Sequence, residues 1–238
     1  MRKIIFIIAI LQATTVHAND LKSDPLLAKV YTEAQPYEHT TFPAKLHWTA
    51  VSKEGKAERI ISYDPAKPAG QRWHYILRNG KPPEAKQVKS LTESFETEIL
   101  EGYSIAADFL RDKWTLTSNT DTAAVYTLIP DDNSKVIVQD INMVKFLKTQ
   151  MVIEKGDKPY IKSLTMTSLA PFSPKLGAKV KSLDMQYFFD RRAGGDIVEV
   201  KETLKVDAKY FIISLTTDDT KVLEDVGKRV AVPGKAAK

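Results

Sequence analysis

Long stretches of the chain alternate apolar and polar residues with a period of two. In "VKSLDMQYFFD" the residues Leu183, Met185, Tyr187 and Phe189 fall on one side, and Ser182, Asp184 and Gln186 on the other. "DIVEVKETLKV" likewise sets Val198, Val200, Leu204 and Val206 against Glu199, Lys201, Thr203 and Lys205, with Glu202 as the exception on the apolar stripe. Successive side chains of a strand point to opposite faces, so such segments show one face to water and the other to something apolar. Glu202 reads most simply as a carboxylate where the strand leaves the core, and otherwise as a polar group inside a cavity.

Earlier segments repeat the pattern. "KLHWTAV" groups Leu46, Trp48 and Ala50, and "RWHYILRN" groups Trp73, Tyr75 and Leu77. With "AERIISYD", "KWTLTS", "AAVYTLIP", "KVIVQDI", "LKTQMVIEKG", "YIKSLTMTSL" and "YFIISLTT" the alternation predicts about eleven strands, joined by turns such as "EKGDK" and "RRAGGD" that suit antiparallel neighbours.

Helical patterns are few. "DPLLAKVYTEA" begins with Asp24 as a cap and Pro25 in the first turn, where the missing N–H costs nothing. Two more helices are predicted between the third and fourth strands, one presenting Val88, Leu91 and Phe95, the other Ile105 and Phe109. A single antiparallel sheet with one apolar face must cover it with helices or curl around a cavity. About three short helices cannot cover so large a face, so the expected fold is α+β: a strongly curved antiparallel sheet, a half-barrel, with a few helices over its concave face.

The first eighteen residues stand outside this domain. "MRKIIFIIAILQATTVHA" has the charged start, short apolar run and small-residue end of a secretory signal, with cleavage expected after Ala18. Export implies a periplasmic protein, 19–217 a single domain, and 218–238 a weakly ordered basic tail. No later segment has the length and apolarity of a membrane span. The chain has no cysteine, which removes disulfides, thiol catalysis, thiolate metal sites and a lipidated cysteine anchor. Its formal charge of +5 is distributed among alternating acids and bases, which argues against a nucleic-acid partner.

The chain lacks a nucleophile elbow, a phosphate-cradling glycine loop and a dinucleotide fingerprint, and His39, His47 and His74 show no metal-ligand spacing. No catalytic residue, metal ligand or cofactor is therefore assigned, and the protein reads as a binder. Leu46, Trp48, Trp73, Tyr75, Leu77, Leu183, Met185, Tyr187, Val198, Val200 and Leu204 are the candidate lining of a ligand cavity. Val88, Leu91, Phe95, Ile105 and Phe109 are the candidate inner face of covering helices.

The order of helix, three strands, helical interruption and long antiparallel run, with "YILRNGKPPEAKQV" and downstream "TMTSLAPFSP", resembles the superfamily of periplasmic lipoprotein carriers and their relatives. That resemblance implies an open curved sheet, helices acting as a lid, and an apolar cavity for acyl chains, with a lipid or acylated protein as ligand. No arginine of this chain is matched to the carriers' cavity arginine. The competing expectation is a protein-interaction or envelope-stress module without a hydrophobic ligand, docking an envelope protein through the "APFSP" loop or the basic tail.

Overall fold

The computed structural model describes residues 23–95, 99–100, 102–130, 137–138, 141–175, 177–211 and 213–232. The expected signal segment and the last residues of the expected tail lie outside this set, as does most of "KVIVQDI".

The first helix, α1 (Pro25–Ala34), is followed by β1 (Thr40–Thr41), β2 (Ala44–Ser52), β3 (Gly55–Tyr63) and β4 (Trp73–Arg78). Then come α2 (Ala85–Ser94) and α3 (Ser104–Phe109), followed by β5 (Trp114–Asn119) and β6 (Ala123–Leu128). The short β7 (Ile137–Val138) and β8 (Ile141–Asn142) pair with each other. The remaining strands are β9 (Leu147–Glu154), β10 (Tyr160–Ser168), β11 (Ala178–Arg191), β12 (Ile197–Tyr210), β13 (Ile213–Glu224) and β14 (Val230–Ala231).

Ten strands form one antiparallel sheet in the order β4-β3-β2-β13-β12-β11-β10-β9-β6-β5. The sheet does not close: β4 and β5 are its two edges, and the fold is a curved α+β half-barrel. Curvature has a local cause. The register shifts between β3 and β4, between β5 and β6, between β9 and β10, and twice between β11 and β12. Each extra residue bends its strand and increases the right-handed twist.

The apolar stripes converge on one face, as alternation requires, but the helices divide that face unevenly. At the β5–β11 end, α1 and α3 are packed into the sheet. Leu27, Val30, Ala106, Ala107, Leu110, Trp114, Tyr126, Met151, Ile153, Ile161, Leu164 and Phe189 are all nearly inaccessible. Several buried polar groups there are paired, although the Thr115 and Thr149 hydroxyls are buried without hydrogen-bond partners. The Asp24 carboxylate accepts the Leu26 and Leu27 N–H groups at 2.9 and 3.2 Å and the Tyr126 hydroxyl at 2.8 Å. The Tyr103 hydroxyl accepts the N–H of Ile161 at 2.8 Å, where the β9–β10 register shifts. The Trp114 indole donates to the Phe109 carbonyl at 2.9 Å.

At the other end, α2 is joined to β2, β3 and β4 through a separate small cluster of Ile61, Tyr75 and Leu91, flanked by Trp48, Trp73, Val88 and Phe95. Leu91 is the one buried apolar residue of α2.

The C-terminal boundary expected from the sequence is corrected. Residues 218–224 are the second half of β13, where Asp218, Asp219 and Thr220 pair with Val51, Ala50 and Thr49 of β2. Val226 and Val232 are buried, and β14 pairs with β1. The polar run "TTDDTK" has little apolar signal because neighbouring strands on both sides supply its hydrogen bonds.

Candidate functional site

The join "RNGK" is a two-residue turn. Asn79 and Gly80 have φ of 49° and 74°, and the Arg78 and Lys81 backbones bond reciprocally at 2.7 and 3.0 Å. Left-handed conformations at both central positions match the twist of the flanking segments, and Asn-Gly tolerates them best. Pro82 and Pro83 follow, and α2 begins beyond Glu84, whose N–H donates to the Gln87 side chain at 3.1 Å. This short, stiff connection holds α2 beside the end of β4.

Two cavities remain at this end of the concave face, the outer one between α2 and the sheet and the inner one beyond Phe95. The inner one, of about 290 Å³, is lined by Leu46, Ile61, Trp73, Phe95, Ile99, Leu100, Ile105 and Leu223 together with Trp48, Tyr187, Glu199, Glu202 and Lys221. The outer one, of about 610 Å³, is lined by Trp48, Tyr75, Leu91 and Phe95 and by Arg59, Arg78, Glu84, Lys86, Gln87 and Ser90. Trp48 and Phe95 belong to both walls.

Strand register explains the polar groups. Tyr187, Glu202, Lys221, Trp48, Arg59 and Arg78 are successive cross-strand partners from β11 to β4, and partners opposite one another share a face. A transverse row of charged and aromatic side chains therefore crosses the otherwise apolar concavity. Within it Lys221 pairs with Glu202 at 2.8 Å, and both are substantially shielded from solvent. The Arg59 guanidinium lies 4.2 Å from the centre of the Trp48 ring, and the Lys221 ammonium lies 5.6 Å from it. The Trp48 indole nitrogen and the Tyr75 hydroxyl are buried without hydrogen-bond partners.

Several expected cavity residues are brought together here. Leu46, Trp48, Trp73 and Tyr187 line the inner cavity, and Tyr75 lines the outer one. Val88 and Leu91 of α2, with Phe95 at its C-terminal cap, pack toward Ile61 and Tyr75 of the sheet. Leu77 does not take part. The register passes from Ile60–Leu77 to Ile61–Tyr75, leaving Ile76 as the extra residue and turning Leu77 to the outer face beside His47 and Ile60. Arg78 takes the inward position instead.

Leu183 and Val198 are buried in the main core, with Met185 and Val200 packed against it, and Leu204 stands half-buried opposite Met185. None of these lines either cavity. Phe109 also packs against the core, and only Ile105 of α3 faces the inner cavity. The helix α3 is thus a core element rather than a movable cover. Glu202, read first as a strand-end carboxylate, stands in the cavity wall.

Among the lining residues that sequence reasoning missed, Arg59, Arg78, Glu199 and Lys221 carry charge into the concave face. Two of them reach this face through irregular strand pairing: a bulge precedes Arg78, and the register shifts next to Glu199. Lys221 lies in the part of β13 beyond the predicted strand "YFIISLTT", where a tail is expected from the sequence. Arg59 was legible, since its stripe with Ile61 and Tyr63 follows the simple alternation of β3.

Among the described residues no group of three His, Asp or Glu is placed to hold a metal ion. No helix among them is long and apolar enough to cross a membrane. Comparison with family models, curated proteins and solved structures finds no match.

Proposed function

We propose that the protein is an exported carrier or sensor of a lipid or acylated polypeptide, holding an acyl chain between α2 and the sheet. One observation carries this reading. The concave face is filled solidly by α1 and α3 at one end, while beside Phe95, just past α2, a hollow walled by apolar side chains on one part and by Glu199, Glu202 and Lys221 on another is left unfilled by the protein's own side chains. The two cavities fall near the lower end and in the middle of the 300–1,000 Å³ typical of small-molecule sites. Burying about a dozen methylenes contributes roughly 10 kcal/mol before ordering costs, at about 0.8 per methylene.

A moving cover is consistent with the attachment of α2. Its apolar contacts are those of Leu91, Val88 and Phe95, worth on the order of 5 kcal/mol together. That is small enough for a ligand to repay. The proposed reaction is binding and release; the reading requires no bond-making residue, and export to the periplasm belongs to the same proposal.

Native mass spectrometry of protein purified gently from its source tests the reading. Co-purified lipid, displaced by a fluorescent fatty-acyl probe, is the expected result. Uniformly empty protein that also fails to bind the probe refutes it.

For the interaction-module reading, Phe172 of "APFSP" is buried and stacks on Phe146, with ring centres 4.5 Å apart, so the loop offers a partner its exposed Ala170, Pro171 and Ser173 rather than its aromatic ring.

A further inference from the structure

Arg59 and Arg78 are directly opposed on neighbouring antiparallel strands. Like charges in that position repel, and a fold gains nothing structural from the pair. Elsewhere in this sheet Lys205 meets Asp218 at 3.0 Å and Lys221 meets Glu202 at 2.8 Å, and the other opposed cations, Lys179 and Lys209, are both exposed to water, whereas Arg59 and Arg78 are half-buried. Among the described residues neither Arg59 nor Arg78 has a carboxylate within ion-pair distance, although Glu84 lines the same cavity. Lys86, from the first turn of α2, adds a third cation to that lining.

Arg59 is also held in place. Its guanidinium lies over the Trp48 ring, which fixes the plane of the group and leaves its N–H donors for another acceptor. Tyr75, whose hydroxyl is buried without a hydrogen-bond partner, and Trp48, whose indole N–H is in the same state, belong to the same wall. Unused donors and uncompensated positive charge are thus concentrated in one cavity. This cavity borders the apolar one at Trp48 and Phe95.

We propose that Arg59 and Arg78 form an oxyanion-binding site at the mouth of the acyl cavity, so that the ligand is an anionic amphiphile with a phosphate headgroup. This rests on the acyl-chain reading above and narrows it. Planar guanidinium groups match phosphate oxygens in bidentate geometry, and the half-buried setting strengthens each contact relative to open water. A neutral diacylglyceryl group would leave the arginine pair uncompensated, so neutral lipid is the discriminated-against class.

The test measures binding of a lysophosphatidic acid and of the monoacylglycerol with the same chain, by quenching of tryptophan fluorescence below their micellar concentrations. It compares wild type, Arg59→Met, Arg78→Met and Arg78→Lys, with inorganic phosphate as a competitor. The methionine variants retain an apolar stem over the sheet and remove a repulsion, so they should fold, and far-ultraviolet circular dichroism checks this. Expected are tighter binding of the phosphate lipid, a loss of roughly tenfold or more with each methionine variant, partial rescue by lysine, and unchanged binding of the neutral lipid.

Weak competition by phosphate alone supports a headgroup site that needs the chain. Phosphate binding that is tight without any lipid contribution identifies a free-anion site and overturns the amphiphile proposal. Equal binding of both lipids, insensitive to the arginines, overturns the headgroup site and leaves the acyl cavity standing. If neither lipid binds, both readings fall.

Discussion

The uneven filling of the concave face makes a quantitative demand on Asp24 and Tyr126. If α1 belongs to a rigid core while α2 is only lightly attached, the contact holding the start of α1 to β6 should matter greatly for global stability. Asp24 is 7% exposed and Tyr126 is 1% exposed, with the hydroxyl donating to the carboxylate at 2.8 Å. Tyr126→Phe removes one donor from a buried carboxylate without changing the ring. A hydrogen bond to a charged group contributes about 1.5–3 kcal/mol, and a domain of this size loses about 2–4 °C in Tm per kcal/mol. The expected shift is therefore about 3–12 °C.

Asp24→Ala should cost more, because it also removes the cap from Leu26 and Leu27, about 1 kcal/mol, and leaves the tyrosine hydroxyl buried without its acceptor. In the double variant that hydroxyl is absent, so the two losses should fall short of additivity by about 1–2 kcal/mol. Urea unfolding followed by tryptophan fluorescence measures this, with the buried Trp114 as a reporter within the same core. A Tyr126→Phe variant within about 0.5 kcal/mol of wild type would refute the claim that this contact pins α1.

Three further outcomes are expected. Hydrogen exchange should show 85–94 opening at on the order of 5 kcal/mol or less while α1 exchanges only through larger openings; equal protection of the two would contradict a detachable α2. Burial raises the pKa of Tyr37, Tyr103, Tyr126 and Tyr160 above the usual value near 10. The unfolded chain then loses these protons first, so their contribution is constant below pH 10 and stability falls as pH rises beyond it. Tyrosinate absorbance should accordingly appear in two phases, the later one with unfolding, and a single phase near 10 would count against the buried assignments. Gly227→Ala would place a Cβ 2.6 Å from the Pro43 ring and should cost about 1–3 kcal/mol in thermal unfolding; no effect would mean that the segment after β13 is not docked there.

Much of the architecture was legible in one dimension. Period-two alternation in β9 to β12, the cap of α1 and the Asn-Gly turn are each decided by residues within a few positions of one another. So was the shortage of helices, from which an open concavity followed. The expectation that Leu77 faces the cavity failed for a reason that local pattern cannot register: a bulge at Ile76 transfers the inward position to Arg78. The acidic run in β13 looks locally like the start of a loose tail because it carries no apolar stripe and one of its two pairing strands, β2, lies far away in sequence.

By itself the sequence determined a half-barrel with one apolar face and too few helices to cover it, because backbone geometry ties side-chain direction to position along a strand. Only the tertiary structure decided which part of that face stays open and which charges enter it. That choice depends on the register between strands distant in sequence. A single inserted residue reverses which side chain points inward, and no local periodicity records it.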